Sequence, residues 1–469
     1  MVKDKQFYKT IFKISLPAAF QALISFLVVI VDDIMVSSMP SGVYAQAAVS
    51  QVNSLTAFYT ATVLGLVSGS SVLISQYWGK RDVTNIKKIF PIVIGFCLGT
   101  SLLFLALALI FPQQIIGLII GADEPEVIRL ALEYFAIICF SYVPYAITNA
   151  FIGMLRSVEV VKITLYVSIV SLFVNMGCNY VLIFGKLGFP VMGVAGAAIG
   201  TLIARVVELI IICIYTFKIQ TRIDLTPRDM FKTEKWLVHD YMKFGFPVGV
   251  ADMLWALILM IRSAMVGHLG AVFIASMNIT NSIQNLSFMF TFALAGGACV
   301  VIGKTIGSGD YKKVREYSKT IQIMFAAIGV VMAILVFLFR KPFVSIYGSA
   351  SDPQVYSLSV TMIAILAATV PFSSYHASCF MGINRGGGDS RFVAVIDMIC
   401  GWFVILPATF LGAFVFNWPL PVVFLCTKLD QTFKWIIAYI RLRGNKWIKN
   451  VTRSPAPEPL PEPLSEMGE

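Results

Sequence analysis

The chain has 469 residues, of which 58% are hydrophobic and only 13% charged, and its mean hydropathy is +0.82. Charged residues make up about a quarter of a soluble chain, so this composition excludes a soluble globular protein and points to an all-α polytopic membrane protein. The net charge of +11 would suggest nucleic acid in a soluble chain, and three histidines without metal-ligand spacing argue against a metalloenzyme.

In chain order, Lys3, Lys5, Lys9 and Lys13 precede a first apolar run, 14–38. It is too long for a signal-peptide core and has no small-residue cleavage site, so it is expected to stay in the membrane. Further runs of about 20 residues or more follow at 47–76, 90–119, 128–153, 163–184, 193–217, 244–267, 273–303, 320–339, 355–381, 392–414 and 418–440. Twelve transmembrane helices are thus predicted. All eight cysteines fall inside these runs and none has CxxC spacing, which makes them apolar filler rather than a redox or disulfide framework. The closing SPAPEPLPEPLSEMGE reads as part of a disordered tail, 442–469.

Of the 36 Lys and Arg, 28 fall at the N-terminus, in every second loop and after the last run, whereas the other side holds only Arg129, Lys186, Arg340 and Lys341. By the positive-inside rule both termini are cytoplasmic in a multi-pass protein of the cell membrane. The basic balance therefore marks a membrane face, and no nucleic-acid partner is expected.

The second half repeats the first at an offset near 229. FKISLPAAF with Pro17 meets MKFGFPVGV with Pro247, Asn53-Ser54 meets Asn281-Ser282, QYWGKRD (76–82) meets KTIGSGD (304–310), and Arg156 meets Arg385. Six spans per repeat give both halves the same orientation, so they form a parallel repeat about an axis along the membrane normal. The expected organisation is a six-helix bundle at 1–217, a cytoplasmic linker at 218–243 and a second six-helix bundle at 244–441. Two such bundles make a V around a central cleft, an arrangement suited to alternating access.

LPAAFQALISFLVVIVDDIMVSSM, SQYWGKRD, NYVLIFG followed by GVAGAAIGTLIARVVE, and NRGGGDSRF together resemble the multidrug and toxic compound extrusion (MATE) transporters from about Phe12 to Arg441. The resemblance implies a monomeric antiporter, without enzymatic activity or cofactor, in which H⁺ or Na⁺ enters while an organic, cationic and amphipathic compound leaves.

Ionisable groups within spans are costly, and each is a functional-site hypothesis. Asp32 lies 19 residues beyond Lys13, about 28 Å up the first span. Asn175 and Asn179, about 20 and 26 Å up the fifth, share one face at i, i+4, and Thr201 lies about 12 Å below the outer end of the sixth. A carboxylate, two amides and a hydroxyl thus converge on the outer half of the N-terminal bundle. Oxygen ligands suit Na⁺, and a carboxylate withdrawn from water suits a proton; interhelical glue is the structural alternative for the asparagines. The resemblance places Asp32 on the family's first-span aspartate, Asn175 on its fifth-span asparagine and Thr201 on a family threonine. Asn179 stands where archaeal and related members carry a second aspartate, which favours protonation of Asp32 and leaves Na⁺ open. Asp33, about 100° round the helix, is a second titrating candidate or faces the outer vestibule.

The C-terminal bundle departs from the family. In one bacterial branch an acidic residue lies eight positions after the seventh-span proline; here that position is Trp255, and the tenth span lacks a carboxylate. The repeat sets Arg262 where the first bundle has Asp32. Asp252, Asp397, Asp430, Lys428 and Lys434 lie deeper, either as a neutralised ion-pair network or as a second proton pathway. Arg205 and Glu208 are expected to pair within the first bundle. His376 reads as a hydrogen-bonding residue. Two competing functions are a lipid-linked saccharide flippase of the same superfamily, expected to have extra spans and an arginine-rich cavity, and a membrane-embedded enzyme. The latter lacks HExxH, GxSxG or a paired-Asp motif.

Overall fold

The computed structural model describes residues 2–39, 42–117, 119, 124–346 and 353–453. Among them there is no strand. Lipid offers the backbone no hydrogen bonds, so long apolar segments satisfy theirs internally as helices. Eleven helices are long and apolar enough to cross a membrane: α1 Lys5–Ser37, α2 Tyr44–Gly79, α3 Val83–Ile110, α4 Pro125–Ser157, α5 Lys162–Phe184, α6 Gly193–Ile219, α7 Lys235–Gly267, α8 Val272–Gly307, α9 Tyr311–Ser345, α10 Pro353–Asn384 and α11 Ser390–Val415. The twelfth expected run differs. It is two short helices, α12 Leu420–Cys426 and α13 Gln431–Arg443, separated by a turn that carries Lys428 and Asp430. Two ionisable residues and Gln431 in the middle of an apolar run have polar partners inside the protein, and the freed backbone is tolerated there because it borders a cavity rather than lipid.

The duplication seen in the sequence recurs in local chemistry. The Asp82 carboxylate accepts from Asn85 N at 3.0 Å and starts α3, and its repeat counterpart Asp310 accepts from Lys313 N at 3.1 Å and starts α9. Each is an N-cap that satisfies one of the donors orphaned at a helix start.

The two bundles meet where α2 packs on α7 and α8, and α1 on α8. This seam lies toward the face that carries the Lys- and Arg-rich loops. Gly69 is ten residues before the end of α2, about 15 Å from that face. A Cβ there would come within 2.1 Å of the Gly245 carbonyl oxygen, so only glycine permits this approach. The opposing Gly245 marks the break in α7 before Pro247. Pro17 and Pro371, by contrast, lie inside uninterrupted helical segments.

The segment after α13, expected to belong to the tail, packs along the seam as far as residue 453. Trp447 is 2% exposed. Gln76, at the end of α2, donates to the carbonyls of Gly386 and Lys449 at 3.2 and 3.1 Å and accepts from Val451 N at 2.8 Å. Asp389 accepts from Arg441 at 2.8 Å and Lys449 at 2.6 Å, and Arg453 forms a fork to Asp240 at 2.5 and 2.8 Å. One strand of chain therefore ties both bundles and the linker together. Residues 454–469 lie outside the described residues.

The linker is partly folded. Thr226 donates its backbone N–H and hydroxyl to Asp229 at 3.0 and 2.8 Å, closing a capped turn. Partial burial acts in the opposite sense, but these bonds and the Lys232 ammonium hold the Asp229 carboxyl down at about 2.

Candidate functional site

Within the first bundle, α5 and α6 place four polar side chains against α1. Thr201 and Asn175 are 3.3 Å apart, with the Asn175 amide donating to the hydroxyl. The Asn179 amide nitrogen donates to Asn175 Oδ1 at 3.4 Å and to Asp32 Oδ1 at 2.6 Å. Asp32, Asn179, Asn175 and Thr201 thus form one continuous hydrogen-bonded chain across three helices. The i, i+4 spacing on α5 sets the Asn179–Asn175 link, and the other two cross to α1 and α6 beside Gly200. A Cβ at that position would lie 2.0 Å from Asn179 Oδ1, so glycine makes room for the amide.

Asn175 is 1% exposed and Asn179 fully buried, whereas Asp32, Asn175 and Thr201 reach the wall of a cavity of about 730 Å³. Asp32 makes no salt bridge among the described residues; its one direct partner is an amide N–H. Arg205 is committed elsewhere, to Glu208 at 2.9 and 3.0 Å and to the face of Tyr145 at 5.2 Å. Asn179 Oδ1 is buried without a partner. Such an unpaired buried oxygen costs stability. Asp33 makes no hydrogen bond or ion pair with the described residues and stands outside this wall.

The cavity also has an aromatic wall that the sequence reading did not pick out: Tyr59, Tyr134, Tyr142 and Tyr145. Tyr59 stacks on Tyr142 at 4.3 Å and donates to the Tyr142 carbonyl at 2.6 Å. Met289, Phe292 and Ala293 of α8 close it from the other bundle.

A second cavity, of about 440 Å³, lies in the C-terminal bundle and shares Phe292 with the first. Of the residues singled out there, Asp397 and Asp430 each lie 2.9 Å from Lys434 Nζ, which also sits 4.5 Å from the centre of the Trp255 ring. Asp252 takes a two-pronged contact from Arg385 at 2.6 and 3.2 Å, and Arg385 also donates to Ser68 on α2 at 3.3 Å. Asp252 thus belongs to the junction between the bundles. Arg385's repeat counterpart Arg156 lines the first cavity and, among the described residues, donates to the amide of Gln21 at 3.3 Å. Arg262 lines this second cavity without a carboxylate partner, and Lys428 donates to Gln284. His376 Nδ1 is 3.2 Å from the Phe372 carbonyl. No group of three or more His, Cys, Asp or Glu side chains among the described residues is arranged to hold a metal ion.

Comparison with known proteins gives the following. The MatE family model matches twice, over residues 17–181 and 247–411. The "Uncharacterized transporter YisQ" of Bacillus subtilis is 26% identical over 389 residues, 82% of this chain and 83% of that protein. The "Probable multidrug resistance protein NorM" of Thermotoga maritima is 26% identical over 333 residues, 70% of this chain and 69% of that protein. A crystal structure of MATE in complex with MaL6 superposes with a TM-score of 0.83 at 18% identity, covering 94% of this chain and 98% of that one.

Proposed function

This chain belongs to the MATE family of membrane transporters, and we propose that it is a proton-coupled antiporter that exports organic, cationic and amphipathic compounds across the cell membrane. Asp32, Asn179, Asn175 and Thr201 form the coupling site, both termini lie in the cytoplasm, and the transporter works as a monomer in lipid, without a cofactor. The observation that carries this reading is the chain of hydrogen bonds ending on a carboxylate that makes no salt bridge to the described residues and borders a cavity closed by both bundles.

A carboxylate without a cation can take either a proton or a positively charged substrate, and occupancy by one excludes the other; that competition is what antiport requires. The tyrosine wall supplies faces for a flat cation. The proton is preferred over Na⁺ because Asp32 is the one carboxylate among the four linked side chains, its companions being two neutral amides and a hydroxyl. A sodium ion seated there needs oxygen ligands on every side. Protonation of Asp32 lets its new O–H donate, and a half-turn of the Asn179 amide would offer the buried, partnerless Oδ1 as acceptor. With the seam closed at the basic face, the cavities lie on the side from which protons enter and cargo leaves.

The test is purified protein in liposomes, with a pH gradient or a Na⁺ gradient imposed separately and a panel of fluorescent cations as cargo. Uptake driven by ΔpH alone and abolished in Asp32→Asn is expected. If Asp32→Asn protein, present at normal levels, moves cargo against a gradient at the wild-type rate, the reading fails.

A further inference from the structure

The cavity of the C-terminal bundle carries an excess of positive charge. Four cationic side chains, Arg262, Arg385, Lys428 and Lys434, line it against three carboxylates, Asp252, Asp397 and Asp430. All three carboxylates have a cation within 3 Å, Asp252 on Arg385 and Asp397 and Asp430 sharing Lys434, so the cavity carries one net positive charge. Arg262 and Lys428 remain. Arg262 has no hydrogen bond or salt bridge to the described residues, and its Nε is buried and partnerless. Lys428 is 1% exposed and donates to a neutral amide, Gln284 Oε1. The two are near enough to repel each other, and Asp430 attracts both.

Two like charges withdrawn from water that share one carboxylate, Asp430, itself bound to Lys434, are under-compensated, and an anion placed between them relieves both desolvation and repulsion. An arginine fork and an ammonium together match the two oxygens of a carboxylate or a phosphate. Beside them stand the aromatic rings of Trp255, Phe288 and Phe292, and the volume of about 440 Å³ suits a single small aromatic molecule. Asp430 shares the cavity, but its carboxylate is turned to Lys434 at 2.9 Å.

We infer that the C-terminal cavity is a second binding site, for an acidic group carried on an apolar or aromatic body, held between Arg262 and Lys428. This goes beyond the coupling role of Asp32 and is independent of it. Such an anion has two sources, a soluble organic acid or an anionic lipid headgroup.

The experiment uses the full chain in nanodiscs of phosphatidylcholine, with 1-naphthoate and 1-naphthylmethylamine as a matched acid and amine. The acid is expected to bind more tightly than the amine. Arg262→Gln and Lys428→Gln should each weaken acid binding at least tenfold, while Lys186→Gln, a lysine exposed on the outer face, leaves it unchanged. A parallel arm exchanges the protein into phosphatidylcholine containing phosphatidylglycerol. Retention of phosphatidylglycerol that both glutamine variants reduce tenfold assigns the same site to a lipid, whereas acid binding in pure phosphatidylcholine assigns it to a soluble anion. Equal acid affinity in both variants, or an amine bound as tightly as the acid by the wild-type chain, overturns the inference. The acid-over-amine preference is read on the wild-type chain, so a folding defect in a variant leaves the test intact.

Discussion

Replacing Lys434 with methionine removes the cation that Asp397 and Asp430 both face at 2.9 Å. Lys434 is 1% exposed and Asp430 3% exposed, against 22% for the Asp397 side chain, so the Asp430 charge cannot be made good by bulk water. Removing one partner of a buried ion pair costs about 3–5 kcal/mol. Losing the ammonium over the Trp255 ring adds to this about 1–2 kcal/mol. The upper part of the range is therefore expected, roughly a thousandfold in the folding equilibrium. The triple replacement Lys434→Met, Asp397→Asn, Asp430→Asn should recover most of that loss, because it removes the stranded charges together with their partner. Thermal melting of the purified protein, followed by fluorescence-detected gel filtration, ranks the three forms. If Lys434→Met melts with wild type, or the triple variant melts below Lys434→Met, then the three residues are not a mutually dependent ion cluster. The same chemistry separates structure from transport. A purely structural cage leaves the proton-to-substrate ratio of Asp397→Asn at the wild-type value, and a changed ratio makes it a second proton pathway.

Gly200→Ala sets a methyl 2.0 Å from Asn179 Oδ1; displacing the amide should cut ΔpH-driven uptake at least tenfold with about 1–3 kcal/mol of destabilisation, read by transport and melting on the same preparation. Gly69→Val cannot accommodate the Gly245 carbonyl at 2.1 Å, so spin labels at Arg81 and Asp310, on basic-face loops of the two bundles, should report a longer distance than in wild type. Trp447→Ala empties a site that is 2% exposed and should cost about 3–5 kcal/mol, with the same label pair broadening as the strap loosens; an unchanged distance distribution would show that the strap does not hold the seam. Asp229→Asn removes a carboxylate held at about 2 by Thr226 and Lys232. A lowered carboxyl stabilises the linker turn above the unfolded value near 4 and loses that effect as pH falls toward 2. Protease cleavage within 220–234 should therefore rise in the variant at neutral pH and in wild type only below about pH 4.

Much of the candidate site was legible because a polar residue inside an apolar run is conspicuous. Asp32, Asn175, Asn179 and Thr201 could be brought to one level by counting rise per residue from the basic ends, and the structure links them by hydrogen bonds. The tyrosine wall was not legible, since aromatic residues are abundant and nothing in their spacing says which ones face a cavity. Gln76 went unremarked within SQYWGKRD, because its three partners come from two segments more than 300 residues away.

The sequence by itself determined the number of apolar runs, the face that carries the basic loops, the parallel repeat and the family. All of these follow from composition, period and order along the chain, which are local or one-dimensional. Tertiary structure alone decided which charges are paired. Whether a lysine or an arginine inside a bundle is neutralised depends on contacts between helices distant in the chain, as when Lys434 reaches Asp397, and Arg385 reaches Asp252. It also decided that the twelfth run breaks at Lys428 and that the segment before residue 454 straps the seam, because both depend on what lies opposite. The excess of basic residues that first marked one membrane face thus leaves two cations, Arg262 and Lys428, whose lack of a salt bridge to the described residues only the packed bundle reveals.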